Sequence, residues 1–131
     1  MNPWLQAARL RTLPLALTCV LLGGAIAHAT GLDEPGQARF LPVMVSALIT
    51  VSLLQVLANF ANDYGDFRKG TDTAAERSDR TLASGSLTVD AMKRAMVLTG
   101  MLALVSGLTT LGLAFVPGWV PGTESASLQG A

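Results

Sequence analysis

The sequence predicts an all-α, polytopic membrane protein with three transmembrane helices. Half of its 131 residues are apolar and only 14% are charged, and the mean hydropathy is +0.46. The charges are gathered into short blocks separated by three neutral runs: Thr12–Leu32 with 21 residues, Phe40–Asn62 with 23 and Ala95–Val116 with 22. Each run reaches the roughly 20 residues that carry a helix across a bilayer core. A soluble domain would carry about a quarter charged residues, distributed along each element.

The elements follow in order. Residues 1–11 form a short amphipathic lead-in with Pro3 near its start. The first span, about residues 12–32, contains Gly23, Gly24 and many alanines, small enough for close helix packing in lipid. Gly31 to Gly36, with Pro35, reads as a tight external turn. The second span covers about 40–62, with its last turn extending toward Asp66, and Gly65 and Gly70 loosen its end. A polar loop, 63–94, holds six acids and six bases. Within it Thr88 is placed to cap the next helix, although Ala91 rather than Glu occupies the capping-box position. The third span, about 95–116, is stopped by Pro117-Gly118 and Pro121-Gly122. The membrane segment is therefore 1–116, followed by a small polar tail, 117–131.

The net charge is zero, which gives no basis for a nucleic-acid partner. Its distribution sets an orientation. Eight of the nine basic residues flank the N-terminus or lie in the 63–94 loop, and the exception is Arg39. The positive-inside rule then places the N-terminus and that loop in the cytoplasm and the tail outside, as a multi-pass protein of the inner (plasma) membrane. Trp4 and Tyr64 suit the inner interface, and Trp119 the outer one. The Ala27-His28-Ala29 sequence has the form of a signal-peptide cleavage site, but the apolar run before it is longer than a usual signal core, and a second span follows. Cys19 is the only cysteine, so no intramolecular disulfide forms. His28 has no second ligand at metal-binding spacing.

The informative stretch is Gln55 to Asp66. At 100° per residue, Gln55, Asn59, Asp63 and Asp66 share one helical stripe, with Asn62 beside it. Amides and carboxylates are costly in a bilayer, so the stripe should face a protein-lined or watery cavity. Two carboxylates one turn apart at the mouth of such a cavity suit a hard divalent cation that also binds a phosphorylated ligand. The alternative is a pair of interfacial acids balanced by Arg68 or Lys69, which leaves the alignment with Gln55 and Asn59 unexplained. An acid-lined ion-conducting bundle is a further alternative, weakened by the basic loop beside the acids.

Four stretches resemble the N-terminal part of the UbiA superfamily of intramembrane prenyltransferases: Ala8-Arg-Leu-Arg-Thr-Leu-Pro14, Gln55–Asp66 with its Asn62-Asp63-x-x-Asp66 motif, Lys69-Gly-Thr-Asp72, and Met92-Lys-Arg-Ala95. The first and third tilt the resemblance toward the branch that prenylates 1,4-dihydroxy-2-naphthoate in menaquinone synthesis. Another acceptor, such as 4-hydroxybenzoate, is the alternative within the family. The resemblance implies transfer of a prenyl group from a polyprenyl diphosphate to an aromatic acceptor. Asp63 and Asp66, with Asn62, would hold Mg²⁺. Lys69, Arg68 and Arg80 would clamp the diphosphate, and Gln55, Asn59 and Asp72 would contact substrate. The segment Asp79 to Gly85 resembles a loop that closes over the diphosphate.

Two departures from the family pattern stand out. The usual third acid is replaced by Gly70, leaving Asp72 as a loop-borne contributor. The family also implies about nine spanning helices and a second aspartate motif, which do not occur here. The expectation is an N-terminal piece, inactive by itself, that needs a missing C-terminal half or self-association, or a catalytically inactive subunit or remnant.

Overall fold

A computed structural model describes residues 2–32, 34–70, 81–116 and 118–120. Its described elements are helical: α1 (Pro3–Ala8), a short 3₁₀ turn (Leu10–Thr12), α2 (Leu13–Ala29), α3 (Glu34–Lys69) and α4 (Val89–Phe115). Three helical segments are long and apolar enough to cross a membrane: Pro3–Ala29, Gln37–Lys69 and Val89–Phe115.

The Asn2 side chain starts α1 by accepting the Trp4 N–H at 2.9 Å, with Pro3 in the first turn. It ends where Arg9 adopts a left-handed backbone (φ 47°), which is uncommon for a residue with a Cβ. The chain bends there and enters α2 with Pro14 in the first turn, where a missing N–H costs nothing.

α3 is longer at both ends than the neutral run predicts. It starts at Glu34, so the external turn is shorter than Gly31–Gly36. Pro35 falls in the opening turn, where a backbone N–H is not needed. The helix continues past Asp66 to Lys69, and Asp63 and Asp66 lie on it as their shared stripe requires. Polarity alone does not break a helix, and Gly65 remains within it. The chain turns at Gly70, whose φ of 65° is glycine's natural helix stop. At about 1.5 Å per residue, these 36 residues extend about 54 Å, well beyond a hydrocarbon core of about 30 Å. Pro42 lies inside the helix, where it removes one backbone hydrogen bond. α4 begins as expected, with the Thr88 hydroxyl accepting the Ala91 N–H at 3.2 Å.

α2 and α4 both pack on α3. The pairs Thr12–Gln55 and His28–Phe40 run in opposite senses along α2 and α3, as Arg39–Ala114 and Thr50–Ser106 do along α3 and α4. Each neighbouring pair is therefore antiparallel. Small residues allow close approach: Gly24 lies against Met44, Gly107 against Thr50, and Gly112 under the Trp119 ring. Between α3 and α4, Ser46 and Thr110 share a hydrogen bond at 2.8 Å, and Thr50 and Ser106 share another at 2.8 Å. Hydroxyl pairs of this kind join helices in lipid, where apolar contact alone provides little drive.

Large apolar side chains along the spans face outward, Leu15 (77% exposed) and Phe115 (75%) most of all. Lipid is their natural solvent. The tightest packing is at the charged end of the bundle, where Ala7, Ala8, Phe60, Leu82 and Met92 form a buried cluster. Trp4 meets Phe60 edge-on with ring centroids 6.1 Å apart.

Candidate functional site

The stripe on α3 turns inward where α1, the 81–87 segment and the start of α4 meet. Asn59 and Asp63 are buried, Gln55 and Asp66 are half-buried, and Asn62 is exposed. The four-residue stripe is thus one buried face, and Asn62 lies off it.

The amide end of the stripe serves the lead-in. Asn59 Nδ2 donates to the Ala8 carbonyl at 2.7 Å and to Thr12 Oγ1 at 3.1 Å. Gln55 Nε2 donates to Thr12 Oγ1 at 3.2 Å and to Asn59 Oδ1 at 3.5 Å. The Thr12 hydroxyl in turn donates to the Arg9 carbonyl at 2.9 Å, so one hydroxyl gives one hydrogen bond and accepts two. This network fixes the corner around the left-handed Arg9. From the sequence Thr12 has no role of its own; its signal there is its place in the Arg11-Thr-Leu-Pro14 stretch that carries the family resemblance.

The acidic end is built differently. Asp63 is 2% exposed, and its Oδ2 accepts the Thr81 hydroxyl at 2.6 Å. Its Oδ1 is buried and has no hydrogen-bond partner among the described residues. A hydrogen bond to a charged group contributes about 1.5–3 kcal/mol, whereas removing an ionised carboxylate from water costs several kcal/mol. One hydroxyl therefore does not offset the burial, and Oδ1 is the atom left to be satisfied.

Thr81 is itself 1% exposed. A turn brings it to Asp63: Leu87 N–H bonds the Thr81 carbonyl at 3.1 Å, Gly85 N–H bonds the Leu82 carbonyl at 3.1 Å, and Gly85 has φ 73°. Leu82, beside Thr81, is buried in the cluster with Phe60 and Met92 and anchors the turn on α3.

Asp66 lies one turn further along α3, followed by exposed Arg68 and Lys69 in the last turn, where cations suit the helix dipole. Lys93 Nζ lies 6.0 Å from the centre of the Tyr64 ring, at the reach of a cation–π contact. Arg80 and Asp72 lie outside the described residues.

The donor set fits a hard cation. Asp63 offers an unsatisfied carboxylate oxygen, and Asp66 stands on the next turn. Among the described residues no three His, Cys, Asp or Glu side chains cluster as metal ligands. Diphosphate oxygens or water would have to complete an octahedral shell.

Comparison with known proteins agrees with the family resemblance. The model of the UbiA prenyltransferase family matches residues 13–120. The chain is 40% identical over 112 residues to a 1,4-dihydroxy-2-naphthoate octaprenyltransferase of Escherichia coli, covering 85% of this chain and 34% of that protein. It is 39% identical over 113 residues to the protein of the same name from Haemophilus influenzae, covering 86% and 35% respectively. The chain thus spans about a third of the length of these curated relatives. No solved structure matches it. The matched region takes in α2, α3 and α4, with the acidic pair and the turn that meets it, and the chain belongs to the UbiA prenyltransferase family.

Proposed function

We propose that this chain supplies the cation- and diphosphate-binding part of a membrane prenyltransferase that joins a polyprenyl group to 1,4-dihydroxy-2-naphthoate, toward menaquinone. The supporting observation is Asp63: a buried carboxylate with one unsatisfied oxygen, one turn from Asp66, at the charged end of a membrane helix. The names of the E. coli and H. influenzae relatives support the acceptor and a long prenyl chain.

Asp63 and Asp66, with Asn62 at the rim, hold the cation. Bound Mg²⁺ would act as a Lewis acid on the leaving diphosphate. Lys69 and Arg68, in the last turn of α3, would bind the anionic oxygens; Arg80 and Asp72, outside the described residues, are added to the site on the family resemblance alone. Gln55 and Asn59 act mainly through the lead-in, because their NH₂ groups are engaged by Thr12, Ala8 and each other. The isoprenoid lies along the apolar helices. An open groove of about 610 Å³ between α3 and α4, lined by Leu54, Gly100, Ala103 and Leu104 among others, has the required character.

The concentration of basic residues supports placing the N-terminus and the 63–94 region on the cytoplasmic side of the inner membrane. Two carboxylates do not make a complete site. The reading therefore includes further helices around the stripe, from the part of the fold that the relatives possess beyond the match or from a second copy.

A chimera tests the function. Residues 13–120 replace the matching segment of the E. coli relative, and prenylated product is measured with octaprenyl diphosphate, 1,4-dihydroxy-2-naphthoate and Mg²⁺. Product that disappears with Asp63→Asn supports the proposal. A folded, membrane-inserted chimera with no product contradicts it.

A further inference from the structure

We propose that Thr81 is a positioning residue for the Asp63 carboxylate: its hydroxyl occupies Oδ2 and leaves Oδ1 as the oxygen presented to a divalent cation. The inference rests on the cation-binding reading of Asp63 and adds a residue, an atom and a mode of coordination to it.

The two oxygens of one carboxylate have different surroundings. Oδ2 has a short hydrogen bond from Thr81, at 2.6 Å. Oδ1 is equally removed from solvent and has no donor among the described residues. A carboxylate free to rotate about its Cβ–Cγ bond presents either oxygen, or both, to a cation. One held at Oδ2 presents Oδ1 alone. Outer hydrogen bonds of this type orient metal-ligating side chains and tune their basicity.

The fold gives Thr81 little freedom to do anything else. It is 1% exposed, and its carbonyl closes the turn by accepting the Leu87 N–H at 3.1 Å and the Ser84 hydroxyl at 3.3 Å. The neighbouring Leu82 is buried against the cluster that contains Phe60, on the same helix as Asp63. The turn is therefore fixed from below by apolar packing and delivers one hydroxyl to one carboxylate oxygen. A threonine kept only for packing would not need its hydroxyl placed there.

The test uses the chimera carrying residues 13–120, in lipid nanodiscs, with Mn²⁺ as the spectroscopic probe and farnesyl diphosphate as the phosphorylated ligand. Mn²⁺ affinity is read by electron paramagnetic resonance for the unmodified chimera and for its Asp63→Asn, Thr81→Val and Thr81→Ser variants. Thr81→Val keeps the shape and removes the donor, so affinity should fall about 10-fold or more, whereas Thr81→Ser should stay within about 3-fold of the unmodified chimera. Equal losses in Val and Ser, or no loss in Val, would overturn the positioning role.

A second reading needs no change at Thr81. The infrared carboxylate bands that respond to Mg²⁺ and vanish in Asp63→Asn should show a widened separation of symmetric and asymmetric stretches, as coordination through one oxygen requires. A narrowed separation, from chelation by both oxygens, would overturn the inference even if the Val variant failed to fold. If Asp63→Asn leaves Mn²⁺ affinity unchanged, the cation-binding reading itself fails. If only the Thr81 arms fail, that reading survives.

Discussion

Asn59 donates its side-chain amide to the carbonyl of Ala8, 51 residues earlier, at 2.7 Å. This bond crosses from the central helix to the last residue of the entry helix, immediately before the left-handed Arg9. It ties the shape of the lead-in to the helix that bears the acidic pair, so the polar stripe has two tasks. Its deeper amides fix the lead-in, and its outer acids are the ones we propose for the cation.

Replacing Asn59 by Leu removes both donors and leaves the Ala8 carbonyl buried beside an apolar side chain. The expected cost is about 1–3 kcal/mol, the penalty of an unsatisfied buried acceptor. Hydrogen exchange of the peptide covering residues 3–12 should accelerate in Asn59→Leu. Unchanged protection there would mean that the entry helix is held by apolar packing and the Gln55–Thr12 bond without Asn59.

The hydroxyl pairs between α3 and α4 should contribute modestly. A double-mutant cycle with Thr50→Val and Ser106→Ala is expected to give a coupling of about 0.6 kcal/mol, the average for hydrogen bonds between membrane helices. Steric-trapping measurements of unfolding in bilayers would supply the cycle. A coupling above about 2 kcal/mol would exceed the largest values known for such bonds and would point to a larger polar network.

The spans were legible because lipid imposes a simple requirement: an uncharged run of sufficient length. The α4 start was legible because Thr88 has a cap's chemistry in the right place. The ends of α3 were not. A neutral run marks where a helix can meet lipid, while Glu34–Arg39 before it and Phe67–Lys69 beyond the acidic pair continue the same helix. The stripe of Gln55, Asn59, Asp63 and Asp66 was readable as a face from its period alone. Its partners were not readable: Thr12 and Ala8 lie 43 and 51 residues from the amides they meet, and Thr81 lies 18 residues from Asp63. Only the packing of three separate segments brings them together.

Orientation is open to chemical labelling. In a Cys19→Ser background, Ser84→Cys places a thiol on the exposed part of the 81–87 turn. A membrane-impermeant maleimide should label it in inverted inner-membrane vesicles and not in intact spheroplasts. Labelling only from the outside would reverse the topology and place the acidic pair on the wrong side for a cytoplasmic diphosphate.

The proposed site is tested most directly by Mg²⁺-dependent binding of farnesyl diphosphate to the chimera carrying residues 13–120, in nanodiscs, measured by calorimetry alongside the same chimera with Asp63→Asn or Asp66→Asn. Binding by the unmodified chimera that requires Mg²⁺, and is lost in each variant while the helical circular-dichroism signal is retained, is the predicted result. Binding that persists unchanged in both variants would contradict the site and return Asp63 and Asp66 to ordinary interfacial acids.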